Sequence, residues 1–160
     1  MIRIGILGNI GSGKSFVAKN FGYPVFNADL EVSKLYKKDK KVFKKLKKLF
    51  PKFIFSFPVD KKEISNAILE KKINLKKIVK IVHIEVKKRM IIFLNRNQGS
   101  KIVILDIPLL LENKINKKSD ILIFVDSRKK DILKRLVKRE NFNKKLFNLF
   151  KQIQLPPKLK

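Results

Sequence analysis

Gly8-Asn9-Ile10-Gly11-Ser12-Gly13-Lys14-Ser15 decides how this chain is read: it is a complete G-x-x-x-x-G-K-[ST] pattern lying directly after an apolar run. That run, Ile2-Arg3-Ile4-Gly5-Ile6-Leu7, has the character of a buried strand, and Phe16 to Phe21 that of a helix. Strand, glycine loop and helix are the context in which the pattern carries chemistry. The three glycines let successive backbone N–H groups converge on an anion, and the helix behind them adds its positive end. Lys14 is expected to reach the β- and γ-phosphates of a nucleoside triphosphate, and the Ser15 hydroxyl to hold Mg²⁺. The nucleotide cradle expected from this stretch runs from Gly8 through Asn9, Ile10, Gly11, Ser12, Gly13, Lys14 and Ser15 to Phe16.

A chain of 160 residues with 44% hydrophobic content is long enough for one domain with a real core. No stretch reaches the ~18–20 apolar residues of a membrane span, and the N-terminal run leads into the glycine loop instead of a cleavage site. Without cysteine, disulfides, thiolate metal sites and a cysteine nucleophile are excluded. A cytoplasmic enzyme fits these constraints. Forty basic residues against 13 acidic ones give a net charge of +27, a balance that favours polyanionic partners. The excess is almost all lysine, spread over nearly every segment after Ser33, with isoleucine, asparagine and phenylalanine abundant and tryptophan absent. That pattern favours compositional drift and a solvated lysine surface over a dedicated nucleic-acid site.

Beyond the loop, Tyr23 to Asp29 reads as a short second strand, with Asp29 placed to cap a helix from Leu30 to Phe50. Pro51 to Pro58 breaks that helix. A second helical stretch starts near Asp60 and pauses at Asn74, and a third continues through Ile78, Val82, Val86 and Met90 towards Leu94. Lys101 to Asp106 and Ile121 to Asp126 are apolar runs ending in a carboxylate. Short, almost wholly apolar strands alternating with helices predict a parallel sheet covered on both faces. Further helices are expected around Leu133 to Val137 and from Lys144 to Gln152.

In such sheets ligands bind beyond the carboxyl ends of the strands. Asp106 there suits either a Mg²⁺ site or a loop cap. Asp29 suits either acceptance of a proton from a phosphoryl acceptor or helix capping. Arg135 and Arg139, four apart, share a helix face and suit a transferring phosphoryl group, or else pair with Asp131 and Glu140 at the surface. His83, among Ile81, Val82 and Ile84, has by itself the setting of a hydrogen-bonded core residue.

Together these segments resemble the dephospho-CoA kinase family. The loop matches its G-G-I-G-S-G-K-S-like motif, Asn27-Ala28-Asp29 its D-A-D signature and Val82-His83-Ile84 its L-H-P signature. Asp106-Ile107-Pro108-Leu109-Leu110-Leu111-Glu112 matches its D-[IV]-P-L-L-[FVL]-E segment, and Val125-Asp126 with Arg135 to Arg139 its V-D strand end and R-x-x-x-R helix. The resemblance implies an α/β, three-layer P-loop kinase fold: a parallel-sheet core over about 1–28 and 97–139, a helical CoA-binding insertion over about 29–96, and a short lid over about 140–151. It implies transfer of the ATP γ-phosphate, with Mg²⁺, to the 3′-hydroxyl of dephospho-CoA. Asp29 is then the base, Lys14 and Arg139 act on the transferring phosphate, and Arg135 binds nucleotide. His83, Pro108, Leu109 and Glu112 form the acceptor site, and Ser15 with Asp106 the metal site.

The chain also departs from that family: Asn27 replaces the first acid, Ile84 the proline, Ile132 a common glutamine and Ser33 a common arginine. It stops at Lys160, before the strand and closing helix with which the family ordinarily continues. Two alternatives stand beside this reading: another small-nucleotide P-loop kinase, and a non-catalytic, lysine-rich nucleic-acid binder on a decayed kinase scaffold. Oligomeric state has no signal in the sequence.

Overall fold

Apolar residues at nearly every position of Ile2–Gly8 make it the strand around which the sheet is built. In the computed structural model, which describes residues 1–138, 142–156 and 159, it is β1. Beside it run β3 (Ile102–Asp106) and β4 (Ile121–Val125), and β2 (Val25–Asn27) lies outside β3. All pairings are parallel, in the order β2-β3-β1-β4. The register places Gly8 beside Val125 and Asn27 beside Asp106, so the polar strand ends collect along one edge of the sheet. With seven α-helices among the described residues, the fold is the α/β type with a parallel sheet that the sequence predicts.

Two compact units are present, Met1–Ala28 with Phe93–Lys160, and Asp29–Ile92. The first holds the sheet, α1 (Lys14–Asn20), α6 (Lys129–Val137) and α7 (Lys144–Gln152). Its centre is Ile4, Ile6, Ala18 and Ile104, flanked by Phe21, Val25, Ile102, Ile123 and Val125. Arg3 is the one charge inside β1; it is buried, and Nη2 donates to Asp120 Oδ2 at 2.9 Å and to the Ile115 carbonyl at 3.4 Å. A buried guanidinium is tolerated only with such partners. No helix among the described residues is long and apolar enough to cross a membrane.

The second unit is helical and buries its own apolar stripe, including Leu35, Val42, Leu46, Ile54, Ala67, Ile78 and Val86. Here three expectations are corrected. The single helix over Leu30 to Phe50 is two, α2 (Ala28–Lys38) and α3 (Lys40–Leu49). Asp39 parts them, because its carboxylate accepts the Lys41 and Val42 N–H groups at 2.9 and 3.0 Å and so caps a new helix. Asp29 does not precede its helix: α2 starts one residue earlier, at Ala28, which places Asp29, exposed, in the first turn. Finally, the pause between α4 (Lys61–Glu70) and α5 (Lys72–Arg96) falls at the extended Lys71, not at Asn74. Asn74 is buried within α5, where its Nδ2 donates to the Ala67 carbonyl at 2.7 Å and satisfies the end of α4. The break at Pro51 to Pro58 is held by Glu63, a buried carboxylate that accepts the Phe55 and Ser56 N–H groups at 3.1 and 3.2 Å.

Candidate active site

Only glycine fits at position 8. Its φ is 145°, and a Cβ there would lie 2.4 Å from the Val125 carbonyl oxygen and 2.7 Å from Ser12 Oγ. The chain therefore leaves β1 close against the end of β4 and turns directly into the loop. Lys14 opens α1 and folds back over this turn: Nζ, buried, donates to the Gly8 carbonyl at 3.1 Å and to the Asn9 carbonyl at 2.8 Å. The ammonium is thus held within the loop that the sequence assigns to phosphate. Ser15 and Phe16, the next two residues of α1, are exposed at its opening.

The ends of β2 and β3 supply a second group. Asn27 Nδ2 donates to Asp106 Oδ2 at 2.6 Å and approaches Ser15 Oγ at 3.5 Å. Asp106 is buried, with 2% of its surface exposed. Ser15 and Asp106, proposed from sequence as a metal pair, are therefore joined through one amide. A hydroxyl and a single carboxylate are hard oxygen donors, which suits Mg²⁺, an ion that keeps several waters and draws its remaining ligands from substrate phosphates. Among the described residues no cluster of three His, Cys, Asp or Glu side chains could cage a metal by itself.

The third group comes from α6. Arg135 does not pair with Asp131, which is engaged by Arg128 at 2.9 Å. Its Nη1 donates instead to the loop, at 3.3 Å to the Gly11 carbonyl and 3.2 Å to the Ser12 carbonyl, and at 3.2 Å to Ser127 Oγ. Ser127 Oγ in turn donates to the Ser12 carbonyl at 2.7 Å. Arg139 lies outside the described residues.

The remaining candidates lie on the segment after β3 or in the helical unit. Pro108 and Glu112, beyond β3, are engaged by the turn that follows α7: the Pro108 carbonyl accepts from Gln154 Nε2 at 3.4 Å and Glu112 Oε1 from the Leu155 N–H at 2.7 Å. Leu109 is half-buried, while Leu110 beside it is fully buried against Gly5. In the helical unit, Asp29 is exposed on α2 and His83 half-buried on α5, where burial pushes the imidazole pKa below its ordinary value. Asp126, at the end of β4, accepts the N–H of Ser127 at 2.8 Å and stays local.

Two members of this arrangement had no site role in the sequence reading. Asn27 stood only as a departure from an acid, and the signal for it was its place two residues before Asp29 at a strand end. Ser127 carried no signal, since a lone serine after a strand is indistinguishable from a turn residue.

A family model described as dephospho-CoA kinase matches residues 2–158. The dephospho-CoA kinase of Wolbachia sp. subsp. Brugia malayi (strain TRS) is 37% identical over 162 residues, covering 98% of this chain and 83% of that protein. The corresponding protein of Bartonella henselae is 34% identical over 149 residues, covering 90% of this chain and 76% of its own length. Among solved structures, one from Thermus thermophilus superposes with a TM-score of 0.76 at 28% identity, covering 99% of this chain and 82% of that one. A dephospho-CoA kinase from Campylobacter jejuni shares the fold, with a TM-score of 0.58 at 17% identity, over 94% of this chain and 78% of its own. With a glycine loop closed over its lysine, a carboxylate at the end of the neighbouring strand, and a family match along nearly its whole length, this chain belongs to the dephospho-CoA kinase family.

Proposed function

We infer that this chain uses ATP to phosphorylate dephospho-CoA, giving coenzyme A and ADP. The observation that carries the reading is the gathering of Lys14, Ser15, Asn27 and Asp106 at the carboxyl edge of one parallel sheet. The loop from Gly8 to Phe16 is assigned to the ATP phosphates, with Lys14 on the β- and γ-phosphate oxygens. Ser15 and Asp106 are assigned to Mg²⁺, which when bound neutralises charge on those oxygens.

Asp29 is assigned to accept the proton of the ribose 3′-hydroxyl. It needs to be exposed and ionised for that role, and it stands two residues beyond Asn27 in the first turn of α2. Arg135 and Arg139 are assigned to phosphate oxygens, guanidinium groups matching spread charge better than ammonium. His83, Pro108, Leu109 and Glu112 are assigned to the acceptor, the helical unit to the CoA moiety, and the segment around α7 to a lid that keeps water from competing. The absence of cysteine and of a membrane-crossing helix among the described residues is in keeping with work in the cytoplasm.

Acceptor competition tests the substrate assignment. With ATP and Mg²⁺ fixed, dephospho-CoA should support ADP formation at least a hundredfold more efficiently than AMP, CMP or UMP. A nucleoside monophosphate serving as well would move the chain to a different small-nucleotide kinase activity.

A further inference from the structure

We propose that Ser127 is a positioning residue for the phosphate loop, setting the direction of the Gly13 N–H through the Ser12 carbonyl. This inference rests on the nucleotide reading of the loop given above and adds to it a residue that touches no phosphate.

The geometry is specific to one peptide. The Ser12 carbonyl accepts from Ser127 Oγ at 2.7 Å and from Arg135 Nη1 at 3.2 Å, so both its lone pairs are engaged from the α6 side. Arg135 Nη1 also donates to Ser127 Oγ at 3.2 Å, which closes the three groups into a ring and directs the serine proton to the carbonyl. Because a peptide is planar and trans, its C=O and the next residue's N–H point in opposite directions. Holding the Ser12 carbonyl towards α6 therefore aims the Gly13 N–H to the other side, into the concavity of the loop.

Nothing within residue 12 duplicates the brace. Ser12 Oγ is buried without a hydrogen-bond partner, so the residue is fixed through its main chain. Nor can the peptide relax outward, since α6 closes that side: a Cβ on Gly11 would stand 3.1 Å from Ile132 Cγ2 and 3.2 Å from Leu136 Cγ. Gly13 is left-handed, with φ 98°, a conformation that glycine leaves at little cost, so without an external hold its peptide has alternatives. Arg135 alone is a weaker hold, being a long side chain on an exposed residue that divides Nη1 among three acceptors.

The test is ADP binding by calorimetry to the full chain, comparing wild type with Ser127→Ala and Ser127→Thr. Loss of one hydrogen bond at an anion-directing peptide should raise the ADP Kd and the KM for ATP about 3- to 10-fold. kcat should stay within about twofold, since the acceptor side is untouched, and Thr, which keeps the hydroxyl, should restore wild-type affinity. If Ser127→Ala binds ADP like wild type, or if Thr fails to restore what Ala loses, the brace is not the function of this hydroxyl and the proposal falls. If wild type itself fails to bind ADP, the nucleotide reading falls and takes this inference with it.

Discussion

Asn27 and Asp106 end adjacent strands in register, and the amide of the first donates to Oδ2 of the second at 2.6 Å. The family signature carries an acid where this chain has Asn27. An acid there would set two carboxylates against each other, whereas the amide holds one carboxylate by a hydrogen bond and leaves Oδ1 free of that bond. Where the resemblance leads one to expect an acid, this chain thus has an amide hydrogen-bonded to the Asp106 carboxylate.

On the proposed metal assignment, Asp106→Asn removes the only charge in the Ser15–Asn27–Asp106 group. The apparent Mg²⁺ affinity of the ADP complex should fall by at least tenfold. Asn27→Ala, which removes an orienting partner, should cost about 10-fold. Calorimetric Mg²⁺ titration of the ADP-bound protein measures both. Unchanged affinity in Asp106→Asn would remove it from the metal site.

Arg3 and Asp120 form a buried pair, with side-chain exposures of 9% and 1%. Removing one partner strands the other, so Asp120→Ala should cost about 3–5 kcal/mol in urea unfolding. Arg3 Nε and Asp120 Oδ1 are left without partners, so the pair is incompletely satisfied. The double change Arg3→Met with Asp120→Leu should therefore cost less than Asp120→Ala alone. Lys88→Ala, at the exposed Lys88–Glu85 pair, should cost no more than ~1 kcal/mol. A loss in Lys88→Ala equal to that in Asp120→Ala would contradict this ranking.

Two groups in the helical unit predict a loss of stability in acid, over separate windows. Burial pushes His83 below its ordinary pKa of 6.5, so below that pH the unfolded chain takes a proton that the fold refuses. Stability then declines as pH falls from 6.5 towards the lowered folded value. For Glu31, burial acts to raise the pKa, but hydrogen bonds from Lys34 and Arg89 outweigh it and hold the carboxyl below 4.5. Its contribution is present above 4.5 and lost as pH falls through the folded value. Thermal midpoints against pH should show His83→Asn flattening the upper window and Glu31→Gln the lower one. A profile unchanged in both variants would contradict the assignment.

The sheet and loop were legible because their signals are local. β1 and β3 are largely buried and accordingly apolar, and the glycine loop repeats a fixed spacing. β4 is as apolar, but Ile121, Leu122 and Phe124 are exposed, so the expected cover on both faces does not extend to it. The helix break at Asp39 was not legible, since Lys37-Lys38-Asp39-Lys40-Lys41 reads alike as a solvated helix face or as the start of a new helix. Asn74 misled for a related reason: a polar residue between apolar ones signals a break, yet this one is buried satisfying another helix's carbonyl. In the site, Lys14, Ser15 and Asp106 were named from spacing. Asn27 and Ser127 are hydrogen-bonded to residues 79 and 115 positions away, Asp106 and Ser12, contacts which no sequence pattern displays.

The most direct test of the account is ADP release by the full chain with ATP and Mg²⁺, with and without dephospho-CoA, run beside Asp29→Asn. The account predicts ADP formation that depends on dephospho-CoA, falls about 10²–10⁴-fold in kcat in Asp29→Asn, and leaves ADP affinity within about twofold. Wild-type ADP release indifferent to dephospho-CoA would contradict the proposed reaction, and an undiminished rate in Asp29→Asn would contradict its proposed base.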